Sequence, residues 1–334
     1  MSGHRAIALT AVLALALSAP GCAEKIVSTA PPTIEPARAA VSPPPAVAPA
    51  GEVIATGGRF SAAMFDARTR ALVCLSPGEL TIIGTDGAPR TVPLPPGSSA
   101  ALTGDGAGTV YIAGRGAVLT VDIAAGRVTE TPIAGRQDTE FTAIARRADG
   151  RLVLGTAGGA AVTLAPDMTV SHEAGGFARV DGLAVVGDVA VVLDRAQTSV
   201  TELDSDGDAG LALRAGLGAT RTTSDPAGRV LVTDTRGGQL LVFGVRPLIE
   251  RQAYPVPDAP FGLTGSATLT WVSQTASNTV IGYDLATGIP VEKVRYPTVR
   301  QPDSLAFDDA SGTLYVVSGA GAGVQVIRTT AGAR

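Results

Sequence analysis

Few side chains in this sequence could carry out covalent chemistry. Beyond residue 22 it has one histidine, His172, in the polar stretch VSHEAGG, and any Ser-His-acid triad would have to use it. The two cysteines are Cys22 and Cys74, and one histidine with one further cysteine supplies too few ligands for a zinc site. Cys74 lies in the apolar run ALVCL and is interpreted as a core residue, whereas His172 is expected on a solvated outer strand. We therefore predict no catalytic residue and no metal ligand.

Two kinds of motif resemble ligand-binding loops but fit plain turns better. The Gly-rich pieces at residues 157–161 and 236–239 lack the pattern of a phosphate-binding loop and are interpreted as hairpin turns. The run DSDGD from Asp204 resembles the start of a calcium loop. Its sixth position is Ala209, where glycine is needed, and its twelfth is Ala215, where a bidentate glutamate is needed. A turn is the better interpretation.

A repeated pattern predicts the elements that would position any site. Residues 271–307 indicate three strands, a loop and the first strand of a next unit. A turn followed by a strand recurs with a spacing of about 40 residues, which is typical of propeller blades. Clear copies occupy residues 104–114, 146–156, 224–234 and 308–318. The sequence therefore predicts an all-β fold, a single β-propeller with seven four-stranded blades; six or eight blades are the alternatives.

The predicted propeller domain spans residues 51–334. Its units are placed at residues 60–97, 98–138, 139–180, 181–218, 219–259, 260–301 and 302 to the C-terminus. The first unit has Arg68-Thr69-Arg70 where the clear copies have a glycine turn. The last unit lacks its outer strand, and residues 52–56 form a strand without a partner. We predict that this N-terminal strand closes the last blade, since closure removes an exposed sheet edge.

The first 50 residues predict a lipid anchor followed by a spacer. Residues 1–22 combine a short charged start, an apolar run of about a dozen residues and the sequence SAPGC, which resembles a bacterial lipobox. Cys22 is the predicted lipidation site, which places the protein on the extracytoplasmic face of the cell membrane. Ala19 and Pro20 depart from the usual lipobox, and an ordinary secretory signal is the alternative. The Pro/Ala-rich residues 23–50 are predicted to form a disordered, solvated tether.

Two segments carry a resemblance to a known repeat family. The stretches VLVTDTRGGQLLVFGV at residues 230–245 and WVSQTASNTVIGYDLATG at 271–288 resemble YVTN/NHL-type propeller repeats. The order of lipobox, PPTIEPA segment and propeller is similar to that of the LppL-like conserved lipoproteins of mycobacteria. This resemblance implies a fold and a location but no chemistry.

The net charge limits the kinds of partner. A formal net charge of −4 implies no broad basic surface, so no nucleic acid is expected as a partner. The expected partners are the membrane, through the lipid anchor, and an envelope protein or a small polar ligand. The protein is expected to be a monomer.

The remaining place for function is one face of the ring, where loops entering the first strands meet loops joining second to third strands. Charged and amide side chains that converge on such a funnel would suit a polar ligand or a cation. The alternative is a web of salt bridges and turn caps that ties the blades together. The candidate residues are Arg115, Glu140, Asp181, Asp194, Arg195, Arg221, Asp234, Arg236, Gln274, Asn278 and Asp303.

Three functions compete on this basis. The first is a membrane-anchored cell-envelope lipoprotein whose propeller is a scaffold for binding a ligand or a protein, with no cofactor. The second is a calcium-dependent, lactonase-like hydrolase in which Glu140, Asp181, Asn278 and Asp303 supply oxygen ligands, although lactonase-type propellers are usually six-bladed. The third, a quinone-cofactor dehydrogenase, fits poorly because Trp271 is the only tryptophan. The first is preferred, with calcium as the one cofactor left open.

Overall fold

The computed structural model of the protein describes residues 32–98 and 101–329, and these residues form a propeller of seven blades. They contain 28 strands in seven four-stranded sheets. The inner strands of neighbouring blades contact one another in cyclic order around a central channel. The predicted all-β fold with seven blades is therefore confirmed. Among the described residues, no helix is long and apolar enough to cross a membrane. The predicted signal segment and Cys22 lie outside these residues.

The strands follow the chain in order, except that β1 (Glu52–Ile54) belongs to the last blade. Blades 1 to 3 run from the innermost to the outermost strand as consecutive antiparallel hairpins. Their strands are β2 (Ala62–Asp66), β3 (Ala71–Ser76), β4 (Glu79–Ile83), β5 (Pro89–Pro93), β6 (Leu102–Gly104), β7 (Thr109–Ala113), β8 (Ala117–Asp122), β9 (Arg127–Pro132), β10 (Phe141–Arg146), β11 (Leu152–Thr156), β12 (Ala161–Leu164) and β13 (Val170–Ala174).

Blades 4 to 6 repeat this order, and blade 7 takes its outermost strand from β1. The strands are β14 (Gly182–Val186), β15 (Val189–Asp194), β16 (Ser199–Leu203), β17 (Ala209–Arg214), β18 (Ala219–Ser224), β19 (Val230–Asp234), β20 (Gln239–Gly244), β21 (Ile249–Pro255), β22 (Pro260–Gly265), β23 (Thr270–Gln274), β24 (Thr279–Asp284), β25 (Val291–Pro297), β26 (Pro302–Asp308), β27 (Thr313–Ser318) and β28 (Val324–Arg328). Apart from β1, the strands of each blade lie within the unit predicted for it.

Burial explains why the second strand of each blade is apolar and the fourth is polar. Every residue of β3 and of β15 is buried, because neighbouring blades cover both faces of these strands. By contrast, β17 is almost entirely exposed. The core consists of layers between adjacent blades, such as the one that joins Cys74 of blade 1 to Val317 of blade 7. Burial raises the pKa of the Cys74 thiol, which makes it the inert core residue that was predicted.

Blade 1 forms the repeated turn without a glycine. In the clear copies the turn uses Gly108, Gly150, Gly228 and Gly312, all with a positive φ. In blade 1 the same place is taken by Arg70, with a φ of 53°. The left-handed conformation is costly for a residue with a Cβ, so blade 1 keeps the turn geometry at a cost although it lacks the glycine that marks the other copies.

Ring closure follows the prediction. Strand β1 pairs antiparallel with β28, with Glu52 opposite Val326 and Ile54 opposite Val324. Immediately before β1, the carbonyl of Ala50 accepts a 2.7 Å hydrogen bond from the buried side chain of Gln325. The N-terminal strand therefore supplies the outer edge of blade 7.

We expect that deleting residues 52–56 lowers the melting temperature by roughly 5 °C or more, because strand β28 loses its partner and the adjoining core layer loses the side chain of Ile54. Thermal unfolding followed by circular dichroism would measure the change. Val53→Ser is the matched control, since that side chain is 42% exposed and the backbone pairing is kept. An unchanged melting curve for the deletion would show that β1 does not contribute to closure.

Candidate functional site at the channel mouth

The central channel holds two connected cavities. The inner one, of about 640 Å³, is lined by the first strands of all seven blades. The outer one, of about 390 Å³, shares Arg221 and Leu183 with it and opens where the chain enters the first strands. We call the outer one the mouth cavity. Its polar lining consists of Ser61, Thr142, Arg179, Asp181, Arg195, Thr220, Arg221 and Thr222.

Arg221 reaches from blade 5 to blade 1. Its Nη2 donates a 3.0 Å hydrogen bond to the carbonyl of Ser61, and its guanidinium lies 4.8 Å from the ring centre of Phe261. Burial lowers the pKa of the Arg221 guanidinium; nearby Asp303 opposes this shift and Arg195 adds to it. A cation is thus held in the channel by a carbonyl and an aromatic face.

A second group of charges lies on the neighbouring part of the rim. Arg179 is 3.3 Å from Asp181 through Nε and 3.3 Å from Glu140 through Nη2. Asp181 also accepts a 2.9 Å hydrogen bond from the backbone amide of Arg195. Burial nevertheless raises the pKa of the Asp181 carboxyl, against the lowering effect of these donors. Sequence reasoning missed Arg179, because its role depends on the loop before β14 folding back over the cavity.

Asp303 lies on the innermost strand of blade 7 and lines the inner cavity. It accepts a 2.9 Å hydrogen bond from Nε2 of Gln301. Burial raises the pKa of its carboxyl, whereas Gln301 and Arg221 lower it. Gly319 stands beside it, where a Cβ would collide with the carboxylate. The structure thus brings Asp181, Arg195, Arg221 and Asp303 together at the channel.

Asp194 and Asp234, both candidates for binding a ligand in the funnel, instead bind backbone amides of the protein. Both are buried, with exposures of 1% and 0%, and each carboxylate accepts hydrogen bonds from three backbone amides. For Asp234 the donors are the amides of Leu217, Gly218 and Gly237, at 2.8 to 2.9 Å. These two residues therefore act as turn caps, as the alternative interpretation of the funnel predicted.

The remaining candidates lie around the rim, outside the lining of both cavities. Arg115 is exposed and lies 3.9 Å from Asp138. Gln274 is buried and donates to the carbonyl of Pro257 over 2.8 Å. The other two, Asn278 and Arg236, contact a segment of the chain that precedes β1.

That segment, residues 34–43, crosses the mouth side of blades 4 to 7 and is called the strap below. It begins at blade 4, where the amide of Ile34 donates to the carbonyl of Ala196 over 2.8 Å. Arg195 then donates to the carbonyl of Ala37, and Arg236 donates to that of Glu35. The strap therefore holds the side chain of an arginine that lines the mouth cavity.

The strap ends at blades 6 and 7. The amide of Ser42 donates to Oε1 of Gln301 over 2.9 Å, and Nε2 of Gln301 donates to the carbonyl of Ala40 over 3.0 Å. Asn278 donates to the carbonyl of Pro43 over 2.8 Å, and Ser42 is only 1% exposed. The prediction of a solvated tether is wrong for this stretch. The segment joins no sheet, as its prolines require, but its carbonyls accept hydrogen bonds from distant side chains.

The described residues offer no ready metal site. Within residues 32–98 and 101–329, no group of three or more His, Cys, Asp or Glu side chains could hold a metal ion. The carboxylate of Glu140 pairs with Arg179. The side chain of Asn278 donates to the carbonyl of Pro43 and accepts from the backbone amide of Gln301. The segment that begins at Asp204 is a turn, because Oδ1 of Asp204 accepts hydrogen bonds from the backbone amides of Asp206 and Asp208. Calcium binding at the funnel stays a prediction.

The potential nucleophile and base lie apart. His172 is on β13, an outer strand, with its Nε2 3.3 Å from Asp208. Cys74 is in the core layer between blades 1 and 7. Both positions agree with the sequence prediction.

Comparison with solved structures finds the same fold at low sequence identity. A chain of Kuenenia stuttgartiensis hydrazine synthase matches with a TM-score of 0.68 and 13% identity, covering 85% of this chain and 100% of that one. Virginiamycin B lyase from Staphylococcus aureus matches with a TM-score of 0.65 and 14% identity, covering 82% of this chain and 97% of that one. A chain of the mitotic checkpoint complex matches with a TM-score of 0.69 and 13% identity, covering 95% of this chain and 99% of that one. At such identity the likeness shows the propeller fold alone.

No protein-family profile matches the sequence, and no curated protein sequence matches it.

We expect Asp234→Ala to destabilise the protein by at least about 3 kcal/mol, since three backbone amides lose their acceptor. Chemical denaturation would measure the loss, and Asp194→Ala should behave alike. Asp138→Ala is the control, because that side chain is fully exposed. Stability equal to the control would contradict the capping role.

We expect Gln301→Ala to loosen the strap, because two side-chain hydrogen bonds to Ala40 and Ser42 are lost. Trypsin should then cleave after the exposed Arg38 roughly tenfold faster, as followed by mass spectrometry. Gln137→Ala, at an exposed position, should leave the rate unchanged. Equal rates for both variants would mean that Gln301 does not hold the strap.

Proposed function

We propose that the protein is a membrane-anchored lipoprotein of the cell envelope whose propeller is a binding scaffold, with the mouth cavity as its ligand site. The observation that carries the proposal is the cavity itself. It has a volume of about 390 Å³, in the range of small-molecule sites, and arginines converge on it beside apolar walls. Its polar groups come from separate blades, so the closed ring is needed to assemble them.

Binding is favoured over catalysis by where the reactive side chains lie. His172 is on the outer rim of blade 3, and Cys74 is in the core. The acids of the mouth are paired with arginine, as Glu140 is, or face an amide donor, as Asp303 does. Acids held in this way act as fixed charges that orient a ligand. No observation at the site favours the lactonase-like alternative.

The proposed location rests on the N-terminal sequence. The lipobox-like residues 18–22 end at Cys22, and a Pro-rich stretch follows. The similarity to LppL-like mycobacterial lipoproteins supports the same arrangement. One acyl chain gives only weak membrane attachment, so the anchor requires more than one chain on Cys22. The net charge of −4 supports a partner other than nucleic acid.

We expect Cys22→Ala to release the protein from the membrane fraction, because the acylated residue is lost. Cell fractionation with immunoblotting would measure the distribution. Cys74→Ala is the matched control, since it removes the other cysteine and should leave the protein on the membrane. Retention of the Cys22→Ala variant in the membrane fraction would remove the anchor from the proposed function.

A further inference from the structure

We infer that the mouth cavity binds a small organic anion, namely a carboxylate attached to a compact apolar body. The inference rests on the proposed function, since it names the class of ligand for the same cavity. The two remain separable, because the lipid anchor and a cavity for some other ligand do not depend on the charge of that ligand.

The first argument is an excess of positive charge. Arg179 is paired with Asp181 and Glu140. Within the part of the chain that the structure describes, Arg195 and Arg221 form no ion pair with a carboxylate, although both line the mouth cavity. Their protein acceptors are neutral backbone carbonyls, those of Ala37 and Ser61. The cavity lining therefore holds three arginines and one carboxylate, that of Asp181, and Asp181 and Asp303 act on Arg195 and Arg221 only from beyond ion-pair distance.

The second argument is unsatisfied hydrogen bonding. The Nε atoms of Arg195 and Arg221 are buried, and among residues 32–98 and 101–329 neither has a hydrogen-bond partner. A half-buried cation without its counter-charge is costly, and a buried donor without an acceptor adds to that cost. A ligand carboxylate in the cavity offsets the first of these costs, because it carries the opposite charge and accepts several N–H groups at once.

The third argument concerns the walls. Leu102, Ile144, Leu183 and Phe261 also line the cavity, so part of the wall beside the arginines is apolar. Phe261 holds the Arg221 guanidinium at 4.8 Å, which fixes its orientation. This pairing of fixed cations with apolar walls matches a ligand that has an acidic end and an apolar body.

Asp303 opposes such a ligand. Its carboxylate lines the adjoining cavity and interacts with the charge of Arg221 across the channel. Removing that negative charge should strengthen anion binding. This gives a gain-of-affinity test, which a misfolded protein cannot imitate.

The experiment is calorimetric titration of the full chain, purified in mild detergent, with three probes at neutral pH. Benzoate carries the carboxylate and the apolar body, benzamide has nearly the same shape without the charge, and inorganic phosphate has the charge without the body. We expect benzoate to bind at least about tenfold more tightly than benzamide, as expected for charged hydrogen bonds. Phosphate should bind more weakly than benzoate.

Variants then assign the site. Arg221→Gln and Arg195→Gln should each weaken benzoate binding at least about tenfold, and Asp303→Asn should strengthen it severalfold. Arg127→Gln is the matched control, because that side chain is exposed and pairs with Asp122 away from the cavity. Circular dichroism confirms that each variant is folded. If Arg221→Gln does not fold, Arg195→Gln and Asp303→Asn still decide the question.

Several results would overturn the inference. Equal affinities for benzoate and benzamide would show a cavity that binds ligands without regard to charge, which leaves the binding scaffold but not the anion. Benzoate binding that none of the three cavity variants changes would place the ligand elsewhere. No binding of any probe would reject an organic anion at this site, whereas membrane release of Cys22→Ala would still support the anchored protein.

Discussion

The pairing of β1 with β28 is the constraint on which the rest of the structure depends. The last blade reaches four strands only because β1 is added to it from the other end of the chain, which also ties the first blade to the last. This pairing brings residue 50 to the outer edge of blade 7, where Gln325 holds it. The residues before it lie on the mouth side, where the hydrogen bonds of the strap fix their path.

The carboxylates on the mouth side form two groups, which differ in the groups that surround them. Asp194 and Asp234 are enclosed by backbone amides and tie the loops of blades 4 and 5. Asp181 and Asp303 line the cavities, and burial raises the pKa of each carboxyl because too few donors compensate for the lost water. The first pair holds the loops of the rim through these hydrogen bonds, and the second pair lies with the arginines around an open space.

The sequence predicted those features that depend on local pattern. Blade spacing, the closing strand and the core position of Cys74 follow from periodicity and apolar runs, and even the unusual turn at Arg70 lies where the repeat is weakest. It predicted polar residues on the mouth side and left open whether they bind a ligand or cap turns, but it did not separate the caps Asp194 and Asp234 from Asp303 beside the channel. The strap was missed because the sequence pattern of a Pro-rich stretch is the same whether its carbonyls accept hydrogen bonds from water or from a side chain such as Gln301. Such contacts join residues hundreds of positions apart.

The strap also changes how far the propeller can stand from a membrane. A free stretch over residues 23–50 would act as a long tether, whereas docking of the strap leaves eleven residues between the proposed anchor at Cys22 and the rim at Ile34. Fully extended, they span at most roughly 40 Å. The strap joins the propeller on the mouth side at blade 4, so on the proposed anchor the tether and the channel entrance share one side of the ring.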